Sequence, residues 1–245
     1  MIWNKKKIIS PKKRDEWYSQ WRHFAEKLIL LDLDGTILDT AGDLGGAANV
    51  LRERRGMSPI DINEYRGYVS KGARGLIQVA LDLNSDHPKF DKVREEFLEE
   101  YSKNLLNKTK FLPNMDVFLS KLIETNITWG IVTNKHKNYA LPIVNGITLL
   151  NEGCSILVCG DTTDYPKPYP DPILFALNEL GFTGKQTVYI GDDPRDIQSG
   201  YNAGCWTHAL KFFENKASTG ITCWGSDETS FDVVELARKL GLSIA

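Results

Sequence analysis

Two hydrophobic periods run along this chain, and the change from one to the other divides it. Leu28, Ile29, Leu30 and Leu31 form an unbroken apolar run, the mark of a strand covered on both faces as in a parallel sheet between helices. From Thr40 to Lys110 the period is helical. Leu44, Ala47, Ala48 and Leu51 predict a helix that starts near Thr40 and Asp43 and stops at Gly56. Gly45 and Gly46 weaken it, and mark either a hinge or a close approach to a ligand. Further helical stripes fall at Leu76, Ala80, Leu83 and at Phe90, Val93, Phe97, Tyr101, Leu105, so residues 40–110 read as an all-helical insertion.

From Phe111 the two periods alternate. Helices are expected over Met115–Thr125, Tyr139–Val144, Pro170–Gly181 and Pro194–Ala203, and strands over Ile127–Val132, Ile156–Cys159 and Thr187–Ile190. Strands that alternate with helices build a parallel α/β sheet. The expected organisation is therefore a core made of residues 28–39 and 111–245, a helical cap over 40–110, and an extension over 1–27. Within the extension Trp17, Trp21, Phe24 and Leu28 recur at helical spacing and predict a short amphipathic helix feeding the first strand.

Composition narrows the function classes. A chain of 245 residues with 42% hydrophobic and 25% charged content is ordinary globular material, neither disordered nor fibrous. No apolar run approaches the ~20 residues of a membrane span, and no apolar segment follows the N-terminal lysines, so a cytoplasmic protein without a membrane partner is expected. Eight Lys/Arg against three Asp/Glu make residues 1–27 basic and leave 22 basic against 29 acidic residues elsewhere. Lys5–Lys7 and Lys12–Arg14 are expected to be solvated, and a nucleic-acid partner is not favoured. Four cysteines, Cys154, Cys159, Cys205 and Cys223, match neither a zinc nor a redox spacing.

The candidate chemistry stands where strands end. Asp32 and Asp34 follow the first strand, and Gly35 permits a sharp turn there. Ligands bind at the carboxyl ends of such strands. Two adjacent acids repel one another unless a cation lies between them, which points to a hard divalent ion such as Mg2+. As a bare pattern, D-x-D-G equally describes a polar turn. Further along, Thr133 and Asn134 end a second strand, and Gly191-Asp192-Asp193 ends a later one, with Asp196 a turn beyond. Lys167 lies between Pro166 and Pro168, which restrict its backbone and offer its cation for a phosphate.

In that order the four motifs, D-x-D-G-T, T-N, K-P and G-D-D-x-x-D, resemble those of the haloacid dehalogenase-like hydrolases over roughly Leu28–Leu240. The resemblance implies a Rossmann-like core with an inserted cap. It implies Asp32 as a nucleophile that forms an aspartyl-phosphate, and Asp34 as acid and base with its backbone carbonyl on the metal. Thr133, Asn134 and Lys167 would bind the phosphoryl oxygens, and Asp32, Asp34 and Asp192 would hold Mg2+. Whether Asp193 or Asp196 also reaches the metal is left open.

Arg55-Gly56, Val69–Arg74, Trp129–Lys135 and Lys167–Pro172 resemble phosphoglycolate phosphatase-like enzymes, and more narrowly the bacterial N-acetylmuramic acid 6-phosphate phosphatases of cell-wall recycling. Both substrates carry a carboxylate besides the phosphate. Lys71, Gly72 and Arg74 in the cap offer cations and a bare backbone to it, although the same residues would serve a helix N-terminus. A sugar phosphomutase of the same fold and a non-catalytic phospho-ligand-binding protein are the competing classes. A phosphomonoester brings about two negative charges, so an anionic nucleophile needs Mg2+ and Lys167 beside it.

Overall fold

The computed structural model describes residues 20, 21, 23–212 and 224–244. Strand β1 (Leu28–Leu31) lies inside a six-stranded sheet of order β5-β4-β1-β6-β7-β8. Its neighbours are β4 (Thr128–Val132) and β6 (Thr187–Gly191), followed outward by β5 (Leu157–Val158), β7 (Trp206–Leu210) and β8 (Glu228–Ser230). All five pairings are parallel, and Leu28 stands level with both Thr128 and Thr187.

The apolar run of β1 explains that central place, because its side chains alternate between two cores. Ile29 and Leu31 join Phe118, Leu122, Trp129 and Leu236 on one face. Leu28 and Leu30 join Val132, Tyr189, Ile173 and Leu177 on the other. All four β1 residues are fully buried, each stabilising by roughly 1.5–3 kcal/mol, so a polar change in this strand is costly. The parallel sheet packed between helices is the fold expected from the sequence.

A short antiparallel ribbon of β2 (Leu38–Asp39) and β3 (Lys110–Phe111) carries the chain out of the core and back. Beyond it lie α1 (Ala41–Glu53), α2 (Ile62–Arg66), α3 (Gly72–Leu81) and α4 (Phe90–Lys103). They share their own apolar cluster, with Leu44, Leu51, Tyr65, Leu76 and Phe97 at its centre. Asp43 joins the two ends of the excursion by accepting from Lys108 N at 2.7 Å and from Thr109 N at 3.0 Å. Gly45 is a close approach between helices, since a Cβ there would meet the Tyr65 ring at 2.7 Å.

The core helices are α5 (Met115–Glu124), α6 (Lys137–Gly146), α7 (Thr148–Gly153), α8 (Asp171–Leu180), α9 (Pro194–Asn202) and α10 (Val233–Lys239). Leu83 and Leu105, expected to extend two helical stripes, lie beyond the ends of α3 and α4. The 3₁₀ turn Val69–Lys71 precedes α3. Trp21 is buried against the core and donates from Nε1 to Gln186 O at 3.0 Å, while Phe24 is half-buried. Trp17, Lys5–Lys7, Lys12–Arg14 and Cys223 lie outside the described residues. Among the described residues no helix is long and apolar enough to cross a membrane.

Candidate active site

Two strand ends and the first turn of a helix bring the acids together. Asp32 follows β1, Asp192 follows β6, and Asp196 sits in the first turn of α9. One carboxylate oxygen from each lies within 4.8 Å of the others. Gly35, at φ +87°, turns the chain directly after Asp34, and its missing Cβ leaves room for the Asp192 carboxylate. Asp192 is held on both oxygens: Thr36 Oγ1 donates to Oδ1 at 2.9 Å and Ser70 Oγ to Oδ2 at 2.7 Å.

Lys167 is the cation among them, only 3% exposed. Its Nζ donates to Asp196 Oδ1 at 2.6 Å, Tyr189 OH at 2.8 Å and Val132 O at 3.0 Å. It also lies 2.9 Å from Asp32 Oδ1. That oxygen is buried and has no partner at a hydrogen-bonding angle. Burial works against the ammonium of Lys167, but Asp196 and Asp32 outweigh it and move its pKa up. Burial, with Asp32 and Asp196 beside it, raises Asp192 well above the ordinary carboxylate range. Asp196 rises to about 6, again through burial, with Lys167 opposing and Asp32 and Asp193 adding.

Three clustered, buried or half-buried carboxylates facing a single ammonium leave negative charge uncompensated and suit a divalent ion. An oxygen-only donor set is the choice of Mg2+ over softer metals. The cluster is Asp32, Asp192 and Asp196. The side chain of Asp34 turns elsewhere, accepting from Thr40 Oγ1 at 2.7 Å and from Lys135 Nζ at 3.0 Å on both oxygens. Asp193 also stands apart, capping α9 by accepting from Arg195 N at 2.9 Å.

The remaining expected residues are placed as follows. Thr133 is buried at the end of β4, where its hydroxyl accepts from Lys135 N at 3.2 Å. The Asn134 side chain is engaged by the backbone of Lys167, donating to its carbonyl at 2.9 Å and accepting from its N–H at 3.0 Å. Lys71, Gly72 and Arg74 line the cap side of the same cavity. That cavity measures about 450 Å3 and runs from Asp32, Thr133 and Lys167 up to Arg94, Phe97, Tyr101 and Tyr139.

Several residues here were not assigned roles from sequence. Lys135 pairs with Asp34 beneath the Tyr101 ring, 4.9 Å from its centroid. Thr36, Thr40, Ser70 and Tyr189 hold the acids or Lys167. A signal for Asp193 and Asp196 did exist. Asp-Pro-x-Asp is a helix start with Pro at the first position and a reciprocal cap, which is what the two residues form.

A family model described as haloacid dehalogenase-like hydrolase matches residues 29–210, more than half of the chain. The chain belongs to the haloacid dehalogenase-like hydrolase family. Within this family it is 34% identical over 201 residues to the N-acetylmuramic acid 6-phosphate phosphatase of Pseudomonas aeruginosa, covering 82% of this chain and 88% of that one. It is 35% identical over 178 residues to a phosphoglycolate phosphatase of Xanthomonas campestris pv. campestris, covering 73% and 80%. The crystal structure of a predicted phosphoglycolate phosphatase from Haemophilus somnus superposes with a TM-score of 0.74 at 24% identity, over 88% of this chain and 99% of that one. That last likeness concerns the fold alone. As a hydrolase of this family, the chain is an enzyme.

Proposed function

We propose that this enzyme is a cytoplasmic, Mg2+-dependent phosphomonoesterase acting on a small ester that also carries a carboxylate. N-acetylmuramic acid 6-phosphate is the first candidate substrate and 2-phosphoglycolate the second. The observation that carries the proposal is the floor of the cavity, where Asp32 faces Lys167 beside Asp192 and Asp196. The first candidate is favoured by a relative that is 34% identical over 201 residues, a longer match at about that identity than the 35% over 178 residues of the phosphoglycolate phosphatase. A cavity of about 450 Å3 walled by Phe97, Tyr101 and Tyr139 also leaves room for a sugar ring. The three described cysteines are free thiols, as suits a reducing compartment.

Asp32 and Asp192, with the backbone carbonyl of Asp34 and with Asp196 beside them, would hold the Mg2+, which when bound screens the phosphate from the carboxylates and orients it. The Asp32 carboxylate attacks phosphorus, and the leaving alkoxide takes a proton from Asp34. Water then attacks the aspartyl-phosphate, giving its proton back to Asp34. Lys167 neutralises the phosphoryl oxygens during both transfers. Its hydrogen bonds to Tyr189 and Val132 aim the ammonium before substrate arrives, so little reorganisation is needed. Thr133 offers a hydroxyl beside it, and Asn134 fixes the backbone from which Lys167 projects. The proposed cap, residues 40–110, contributes Lys71 and Arg74 toward the substrate carboxylate.

A phosphate-release screen over phosphorylated hydroxy acids and sugars, with and without Mg2+, tests the reading. Release from carboxylated esters that requires Mg2+ and disappears in Asp32→Asn is the expected result. Retained turnover in that variant removes the covalent step. An isomerised sugar phosphate in place of free phosphate makes the enzyme a mutase.

A further inference from the structure

Ser70 and Arg195 join the cap to the core at the edge of the acid cluster. Ser70 lies in the 3₁₀ turn Val69–Lys71, immediately before the helix that carries Arg74. Its backbone carbonyl accepts a hydrogen bond from the Arg195 guanidinium. Arg195 is itself aimed: Nε donates to Asp193 Oδ1 at 2.7 Å and Nη2 to Asp193 Oδ2 at 3.1 Å. Asp193 in turn is fixed by capping the helix that Arg195 belongs to. Inside the cap the turn is anchored by Val69, which is buried, and by Lys71 over the Tyr68 ring at 4.8 Å.

We propose that Arg195 is a positioning residue that docks the turn Val69–Lys71 onto the core, and so sets where Lys71 and Arg74 stand over the cavity. The kinetic consequence rests on the phosphatase reading; the docking does not. Nη2 carries two N–H groups, so the guanidinium holds the Asp193 carboxylate with Nε and Nη2 and reaches the Ser70 carbonyl from the same Nη2, whereas one ammonium cannot keep all three contacts in this geometry. The bond from Ser70 Oγ to Asp192 is of another kind, because Asp192 belongs to the acid cluster and a cation there would compete for the same carboxylate. The bond from Arg195 to the Ser70 carbonyl uses no oxygen of that cluster, so it holds the turn whether or not the cation is present. The covalent link between cap and core is the ribbon of Leu38–Asp39 with Lys110–Phe111, and Arg195 supplies a separate, reversible contact.

Amide hydrogen exchange on the full chain, with and without Mg2+, reads the docking without any need for turnover. In Arg195→Ala the amides of residues 69–75 should exchange about tenfold faster, the scale of one lost hydrogen bond to a charged group, while β1 and helix Phe90–Lys103 keep their rates. Arg195→Lys should recover only part of that protection. Ser70→Ala, which keeps the carbonyl but loses the hydroxyl bond to Asp192, should raise exchange at 69–75 less with Mg2+ present than without it, whereas the effect of Arg195→Ala should be the same in both. On a carboxylated ester Arg195→Ala should raise KM more than it lowers kcat. Unchanged exchange at 69–75, or a rise spread evenly over the chain, overturns the docking role. Should the wild-type enzyme release phosphate from no ester, the phosphatase reading falls while the exchange rates still decide the docking.

Discussion

At the core end of the cavity Lys167 and Lys135 are sealed against carboxylates, with side chains 2% and 7% exposed. At the cap end Arg74 and Arg94 are exposed on two helices and have no carboxylate partner among the described residues. Under the proposed function the difference separates two tasks. Charges that take part in bond making are desolvated and pre-aimed, so their strength does not wait for the substrate. Charges that choose a substrate stay solvated until a complementary anion arrives, which makes them adjustable and individually weak.

Breaking the core end should have the largest effect. Lys167→Met leaves Asp32 and Asp196 buried without their cation, and removal of one partner from such a group costs about 3–5 kcal/mol. Denaturant melts should show that loss, and Mg2+ should restore part of it. Arg74→Ala should leave the melt nearly unchanged. Toward carboxylated esters it should lose about 2–3 kcal/mol in kcat/KM, against almost nothing toward an ester without the carboxylate. Equal losses on both substrates would assign Arg74 to the cap or the phosphate instead.

A desolvated core should also respond to pH where the solvated cap does not. His208 is buried in β7, with Nε2 2.9 Å from Ser230 Oγ and Nδ1 unpartnered. Burial, helped by Lys239, pushes its pKa from 6.5 down to about 3, so the ring stays neutral in the fold. The unfolded ring therefore takes up its proton first as pH falls. The stability it contributes is whole above 6.5 and is lost toward 3, by about 1.4 kcal/mol per pH unit. In His208→Gln the unfolding free energy should fall less steeply across that window.

The smallest effect concerns the cap alone. Gly46→Ala would meet nothing within 4 Å and should stabilise by about 1 kcal/mol. Gly45→Ala, which presses on Tyr65, should destabilise by about 1–3 kcal/mol. Thermal melts of the pair would show how tightly the two cap helices are packed.

Legibility in the sequence followed the range of the interaction. The run Leu28–Leu31 announced a central strand because burial on both faces demands four apolar residues in succession. Asp32, Thr133 and Asp192 were legible because each sits just past such a run. Strand β7 was missed: Thr207 and His208 interrupt its apolar pattern, yet both are buried, with Thr207 bonded to Asp227 and one ring nitrogen of His208 to Ser230, each about twenty positions away. The ribbon of β2 and β3 has two residues per strand, too few to show a period. Ser70 and Asp192 lie 122 positions apart, and nothing local marks either for the other. The glycine pair was read as a hinge or a close approach to a ligand, whereas at Gly45 the close approach is to Tyr65 of the neighbouring helix, which nothing local to the pair marks.

The bond from Trp21 to Gln186 sets a schedule for synthesis. The first described stretch of the chain closes on a residue 165 positions later, and strand β1 finds its second neighbour, β6, at the same late point. At about 5–20 residues per second a ribosome takes roughly ten to thirty seconds to supply them. Throughout that interval the most apolar strand of the protein has an open flank. The nascent chain is therefore most exposed to chaperones, and to its own kind, before its third quarter has emerged.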